Sequence, residues 1–403
     1  CGQRGSRRRL GRALHGGRLA ARIWRLAGRA GETLACHTDT MNSLMEVLDP
    51  AHLEQLTAAV FGELRRRRVL DSFRFDGLLI AAIDATKLFT FKTKHCDQCT
   101  HQTKDGVTRW FHHVLVAKVV TPVGLVVPLA FEFIENPCGE YDKQDCELKA
   151  RARLFSKIDR LFPKLRINAV GDGLYAEKTT MAECDRRGWN FMITLTDDKL
   201  PSVTEKLPPA AGEWTGSRTA MVTVGGTDVA GRHRGAPERL QRTVRWKTPL
   251  RYHGEVRHVV ELEDIRADGS QAYYNRWITN VRPEHGNAFD LALTGRLRWK
   301  VENEGFNTPK NGGYEMEHAY GRKGNAWKNY FLILQISQLL NDLVRLTDIL
   351  PKATGDPKAN FVRLFGSMRD FAEQLMASLS FGSPSLDGPP QLQRRIRIGI
   401  LRC

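Results

Sequence analysis

Three carboxylates stand where a metal site for phosphate chemistry would need them. Asp84 ends the short apolar run 77–84 (GLLIAAID), Asp172 follows the run 165–170 within Gly171-Asp172-Gly173, and Glu302 lies on a late helical segment. Oxygen donors suit hard cations such as Mg2+ or Mn2+. Two such ions about 3.5 to 4 Å apart activate a water or a 3′ hydroxyl on one side of a phosphate and stabilise the leaving oxygen on the other. That is the chemistry of phosphodiester hydrolysis and strand transfer. A single Asp at a strand end is ordinarily a turn or cap residue, so the reading rests on the three together. A second donor set differs in kind: Cys96 and Cys99 stand at zinc-knuckle spacing in the segment 95–101 (HCDQCTH), with His112, His113, Cys138 and Cys146 further along. A closed structural zinc site is one reading of it, and free thiols in a reducing cytosol the other.

The elements that must position these groups follow from the apolar pattern. Residues 77–84 predict a buried strand that delivers Asp84 at its C-terminal edge. Residues 111–120 and 125–133 predict a hairpin turning at Thr121-Pro122-Val123-Gly124. Residues 143–161 read as a helix, 165–170 as a strand ending at Asp172, 177–187 as a helix and 191–195 as a fifth strand. This alternation predicts an α/β fold with a mixed sheet covered by helices. Before it, residues 44–64 carry Leu and Val at helical spacing, and Arg65 to Arg68 sit where cations favour a helix C-terminus. Between 201 and 285 the composition shifts to Gly, Pro, Thr and Val with short alternating runs, which predicts a β-rich insertion. Helical pattern returns over 287–301 and 327–346.

Composition narrows the partners. The chain has 403 residues, a formal net charge of +16 and 41% hydrophobic residues, enough for a large core and a surface that concentrates polyanions such as nucleic acid. An anionic membrane surface is the competing partner, but no run of 18 apolar residues exists, so no membrane span is expected. Eight scattered cysteines fit a reducing cytosol better than a disulfide scaffold. The first residue is Cys1, which suggests a fragment or an upstream-extended reading with Met41 as an alternative start. The Arg-rich stretch 4–29 reads either as a solvated basic arm or as a DNA contact.

Over roughly residues 38–346 the chain resembles the DDE transposases of bacterial insertion sequences, in the branch with a ribonuclease-H-like core. The resemblance is carried, in order, by IDATKLF around Asp84, KHCDQC at 94–99, EFIEN at 132–136, KQDCE at 143–147, GDGLYA around Asp172, RWKVENEGFN at 298–307, and Glu317-His318. It implies a ribonuclease-H-like mixed sheet flanked by helices, with Asp84, Asp172 and Glu302 as catalytic acids holding two Mg2+ or Mn2+ ions and a β-rich insertion before the Glu. On that basis the chain divides into a basic arm (1–40), a helical N-terminal region (41–76), a catalytic core (77–200 and 286–350), the insertion (201–285) and a C-terminal tail (351–403).

The same resemblance implies DNA, both element ends and target, as the partner, a homodimer in the DNA complex, and a bacterial cytoplasmic, nucleoid-associated location. It assigns DNA contacts to Arg298, to Lys310 and to Tyr175, three residues after Asp172. Two positions depart from the pattern: Gly295 stands where a Tyr is expected, and Pro309 takes the place of a Lys that comes one residue later as Lys310. Glu304 is a rival for the third acid. Trp246 and Trp277 in the insertion read either as core residues or as rings that stack on a flipped base. Three other functions compete: an inactive DNA-binding descendant, a related metal-dependent nuclease without strand transfer, and a zinc-binding structural or interaction protein.

Overall fold

The computed structural model describes residues 18–26, 28–29, 37–94, 96–136, 144–209, 212–226, 228, 234–318, 321 and 323–381. The start of the basic arm, residues 1–17, lies outside them, as do His95, Cys138 and the tail from 382. The chain divides into two compact units, one of residues 61–228 and 232–306, the other of residues 1–60, 229–231 and 307–403.

The first unit is mixed α/β, a large mixed sheet with helices packed on it. Its strands are β1 (Leu79–Phe91), β2 (Thr100–Lys104), β3 (Val107–Val120), β4 (Val126–Ile134), β5 (Ile167–Gly171), β6 (Asn190–Thr194), β7 (Gly216–Val224), β8 (Glu238–Tyr252), β9 (Glu255–Ile265) and β10 (Gln271–Thr279). The neighbours run β2-β3-β1-β5-β6-β10-β9-β8-β7, with β4 also paired to β3. Strands β1, β3 and β4 form an antiparallel meander. Strands β5 and β6 then join β1 in parallel, which needs crossover connections, here through helices. From β6 outward the sheet is antiparallel again through β10, β9, β8 and β7, so the segment between 201 and 285 extends the same sheet.

Apolar runs explain the centre. Leu79 to Ile83 of β1, Val114 to Val120 of β3 and all of β5 are buried, the pattern of strands covered on both faces. Helix α1 (Glu147–Leu161) packs on β4 and β3, α2 (Lys178–Arg186) on β6, and α3 (Ala288–Arg296) across β8, β9, β6, β10 and β5. The expected helix over 287–301 is shorter than its pattern. After α3 the chain opens into a π-helical turn, Val301–Asn307, which carries Glu302. Such wide turns recur at functional sites.

Two contacts pin α3. Asp264, fully buried on β9, accepts from Arg242 on β8 at 2.7 Å and from Arg296 at the end of α3 at 2.9 Å. Burial pushes its carboxyl up, but the bonds and charges of the two arginines outweigh that and hold it below the usual carboxylate range. Gly295 lies against the buried indole of Trp277, where a Cβ would come within 2.7 Å of the ring. A side chain at 295, tyrosine included, would clash with that ring as it stands. Trp246 is buried as well, so both tryptophans are core residues.

The second unit is helical. Its longest helix, Ala326–Leu346, packs on Thr38–Val47, and the Asn329 side chain donates to the carbonyls of Met45 and Leu48 at 2.9 and 2.8 Å. Those are carbonyls that a helix C-terminus leaves without intrahelical partners. Helix Arg18–Leu26 packs on Met368–Phe381. Among the described residues no helix is long and apolar enough to cross a membrane.

Candidate active site

Register brings the two aspartates together. The parallel β1–β5 ladder ends at Ile83 opposite Gly171, so Asp84 and Asp172 are each one residue beyond it, on neighbouring chains about 4.8 Å apart. Strand β5 stops there because Asp172 caps a 3-10 turn, its Oδ1 accepting from the Leu174 N–H at 3.0 Å. Strand β1 does not stop. Its antiparallel pairing with β3 carries on through Asp84 opposite Val116 as far as Phe91, so Asp84 sits within a strand rather than at its edge. Its Oδ1 accepts from the Ala85 N–H at 2.9 Å.

Glu302 joins this pair through an arginine. Arg298 Nη1 lies 2.6 Å from Glu302 Oε1 and 3.4 Å from Asp84 Oδ2. The rival, Glu304, is directed elsewhere: it pairs with Lys300 at 3.1 Å and Arg234 at 3.7 Å, and its side chain lies against Gly124. Lys118, buried in β3, donates from Nζ to the Gly305 carbonyl at 2.9 Å, tying the π-turn to the sheet. Its stem fills the apolar strand environment while the ammonium finds a carbonyl.

The electrostatics are those of crowded anions. Burial pushes the Asp84 carboxyl up, the Arg298 guanidinium pulls it down, and the charges of Asp172 and Glu302 push it up again, to about 7. Glu147, the first residue of α1, belongs to the same neighbourhood: burial and then Asp172 raise its carboxyl, against the hydrogen bond from Tyr175, whose hydroxyl donates to Glu147 Oε2 at 3.3 Å. The Tyr175 hydroxyl is itself held well above its ordinary value by burial and by Glu147, Asp84 and Asp172. Its ring is 2% exposed and lies against Gly171, so it braces the turn after β5 and presents no face to a ligand. Lys310 belongs to the helical unit, where it pairs with Glu317 at 3.0 Å.

The thiols form a cluster of another kind. Among the described residues, Cys96, Cys99 and His112 are the His, Cys, Asp or Glu set whose three ligand atoms all lie within 4.8 Å of one another. Burial, then Cys99, push the Cys96 thiol up to about 11. His112 is the residue that spacing alone did not single out from its neighbours. Glu147 was likewise missed as a site residue, although it closes the KQDCE segment.

Compared with known proteins, the chain matches no protein-family model and no curated protein at a significant level.

Proposed function

We propose that this protein is a DDE-type DNA transposase, cutting the ends of a mobile element and joining them to target DNA on a ribonuclease-H-like core. The observation that carries the reading is the convergence of Asp84 and Asp172 from adjacent parallel strands with Glu302, which shares Arg298 with Asp84. The sheet order β4-β3-β1-β5-β6, an antiparallel meander followed by two parallel strands, supports the core assignment. The net charge of +16 supports a polyanionic partner, with an affinity that falls steeply as salt rises.

The chemistry of the donors suits a divalent cation. The set consists of hard carboxylate oxygens, with the pKa of Asp84 raised to about 7 by burial first and then by the charges of Asp172 and Glu302, and Arg298 as the cation between two of the acids. Asp84, Asp172 and Glu302 would hold Mg2+ or Mn2+, which when bound supplies the Lewis acidity that phosphodiester cleavage and 3′-hydroxyl attack require. The chain's own groups do the positioning. Tyr175 and Glu147 brace the turn that aims Asp172. Lys118 holds the π-turn that presents Glu302, and Arg298, relieved of its carboxylates, has a guanidinium fork suited to a phosphate.

The test is cleavage of duplex DNA carrying the terminal repeats that flank the coding sequence, with Mg2+ or Mn2+, by the wild type, Asp172→Ala and Glu302→Ala. Metal-dependent cutting lost in both variants with binding retained supports the proposal. A wild type that binds this DNA but cuts it under neither metal marks an inactive DNA-binding descendant. Cutting without joining marks a nuclease.

A further inference from the structure

We propose that Cys96, Cys99 and His112 hold a structural zinc ion that clamps the β1–β2 connection onto β3. The argument starts from a turn. Strands β2 and β3 are joined by two residues, Asp105 and Gly106, both at positive φ, 50° and 75°. An Asp-Gly pair in that conformation makes a tight two-residue hairpin and fixes the register of everything that follows. Lys104 faces Val107 and Thr100 faces Phe111, so one step further Cys99 comes opposite His112. Cys96 is brought back by the turn in which the Cys99 N–H donates to the Cys96 carbonyl at 3.3 Å.

The resulting distances are those of a tetrahedral metal site. The sulfurs of Cys96 and Cys99 are 3.6 Å apart, and His112 Nε2 lies 3.3 Å from one and 3.4 Å from the other. Metal–sulfur bonds of about 2.3 Å and metal–nitrogen bonds of about 2.0–2.1 Å at tetrahedral angles place two sulfurs about 3.8 Å apart and a sulfur and a nitrogen about 3.6 Å apart. A disulfide would need the sulfurs at about 2.05 Å. Cys99 and His112 are buried and Cys96 is half-buried, so three ligands of a structural site are sheltered from solvent. Two thiolates and an imidazole select zinc over the hard cations that carboxylates take, and a fourth ligand completes the tetrahedron.

A second layer holds the knuckle. The Asn136 side chain donates to the Cys99 carbonyl at 2.9 Å, its N–H donates to the Gln98 carbonyl at 3.1 Å, and its Oδ1 accepts from the Asp145 N–H at 3.0 Å. Such outer contacts fix the orientation of ligand-bearing backbone. The clamp acts beyond the irregularity between Lys87 and Phe89, where β1 slips against β3 and Phe89 comes opposite His112. It therefore secures the far end of the ladder that also carries Asp84.

The experiment is zinc content of the full chain, produced in zinc-supplemented medium, by elemental analysis. About one zinc per wild-type chain is expected, falling at least about tenfold in Cys96→Ser/Cys99→Ser and in His112→Ala. His113→Ala, which leaves the trio intact, keeps its zinc. Titrating the stripped wild type with Co2+ alone gives an answer that needs no variant: thiolate-to-metal charge-transfer absorption is expected at one equivalent. A wild type with no zinc and no such absorption overturns the proposal. So does zinc that survives both sets of substitutions, which would be bound elsewhere. Mg2+ or Mn2+ supports neither signal, so this outcome is independent of the DNA-cleaving function.

Discussion

The carboxylate cluster and the thiol cluster each place one member on the β1–β3 ladder, Asp84 on β1 and His112 on β3, and are assembled in opposite ways. At the β1–β5 edge the ladder brings Asp84 and Asp172 side by side and the π-turn adds Glu302, yet an arginine stands between two of the acids and one of them titrates near 7. At the other end of the β1–β3 ladder, two sulfurs and a nitrogen rest within 3.6 Å of one another. Protonated thiols and an imidazole in its neutral form carry no net charge and can close up without a cation. Ionised carboxylates repel one another and cannot. Under the proposed function that difference would suit an exchangeable metal site, because the repulsion among the acids would be relieved when a cation binds.

That contrast can be broken at Asp84. Its folded pKa of about 7 lies above the ordinary aspartate value of 3.8, so the folded state holds a proton that the unfolded state releases. Stability should therefore fall as pH rises from about 4 to about 7, and stay low above that. Asp84→Asn removes the charge and should stabilise the metal-free protein by on the order of 3 kcal/mol at pH 8, with little effect at pH 4. Denaturant titrations at the two pH values check it. Equal effects at both would mean that neither burial nor the neighbouring acids raise Asp84.

Arg298 sharpens the same comparison from the other side. Arg298→Met leaves Asp84 and Glu302 without their shared cation and should cost roughly 2 kcal/mol at pH 8 without metal. Placed in the Asp84→Asn background, the loss should shrink by more than half, a coupling that a double-mutant cycle reads. Additive effects would mean that Arg298 acts only through its packing.

The smallest effect concerns the frame. Gly295→Ala puts a methyl group 2.7 Å from the Trp277 indole, and overpacking of that kind costs roughly 1–2 kcal/mol. A drop in the denaturation midpoint with zinc content unchanged would confine the disturbance to the end of α3. A neutral result would mean that Trp277 moves aside freely.

Much of the sheet is legible in the sequence, because buried strands announce themselves as apolar runs between turns. The hairpin of β3 and β4 and the strand before Asp172 are of this kind. The length of β1 is not, since it is set by a longer partner: β3 keeps pairing past Asp84, and no pattern within residues 77–84 records that. Lys118 reads as a break in an apolar run, whereas the structure buries it to reach the Gly305 carbonyl 187 residues away. The π-turn is hidden because wide and ordinary helical turns share nearly the same side-chain spacing. Glu147 meets Asp172 and Tyr175 only through space. His112, by contrast, could have been found: the Asp105-Gly106 turn fixes the count of residues back to Cys99.

The most direct test of the active-site assignment compares Glu302→Gln with Glu304→Gln in metal-dependent DNA cleavage, normalised for folded protein. Glu302→Gln is expected to lose roughly three orders of magnitude in rate or more, as loss of one member of a catalytic set does, while Glu304→Gln, which disturbs an ion pair with Lys300 and Arg234, stays within about tenfold of wild type. Cleavage that survives Glu302→Gln and disappears in Glu304→Gln would contradict that assignment.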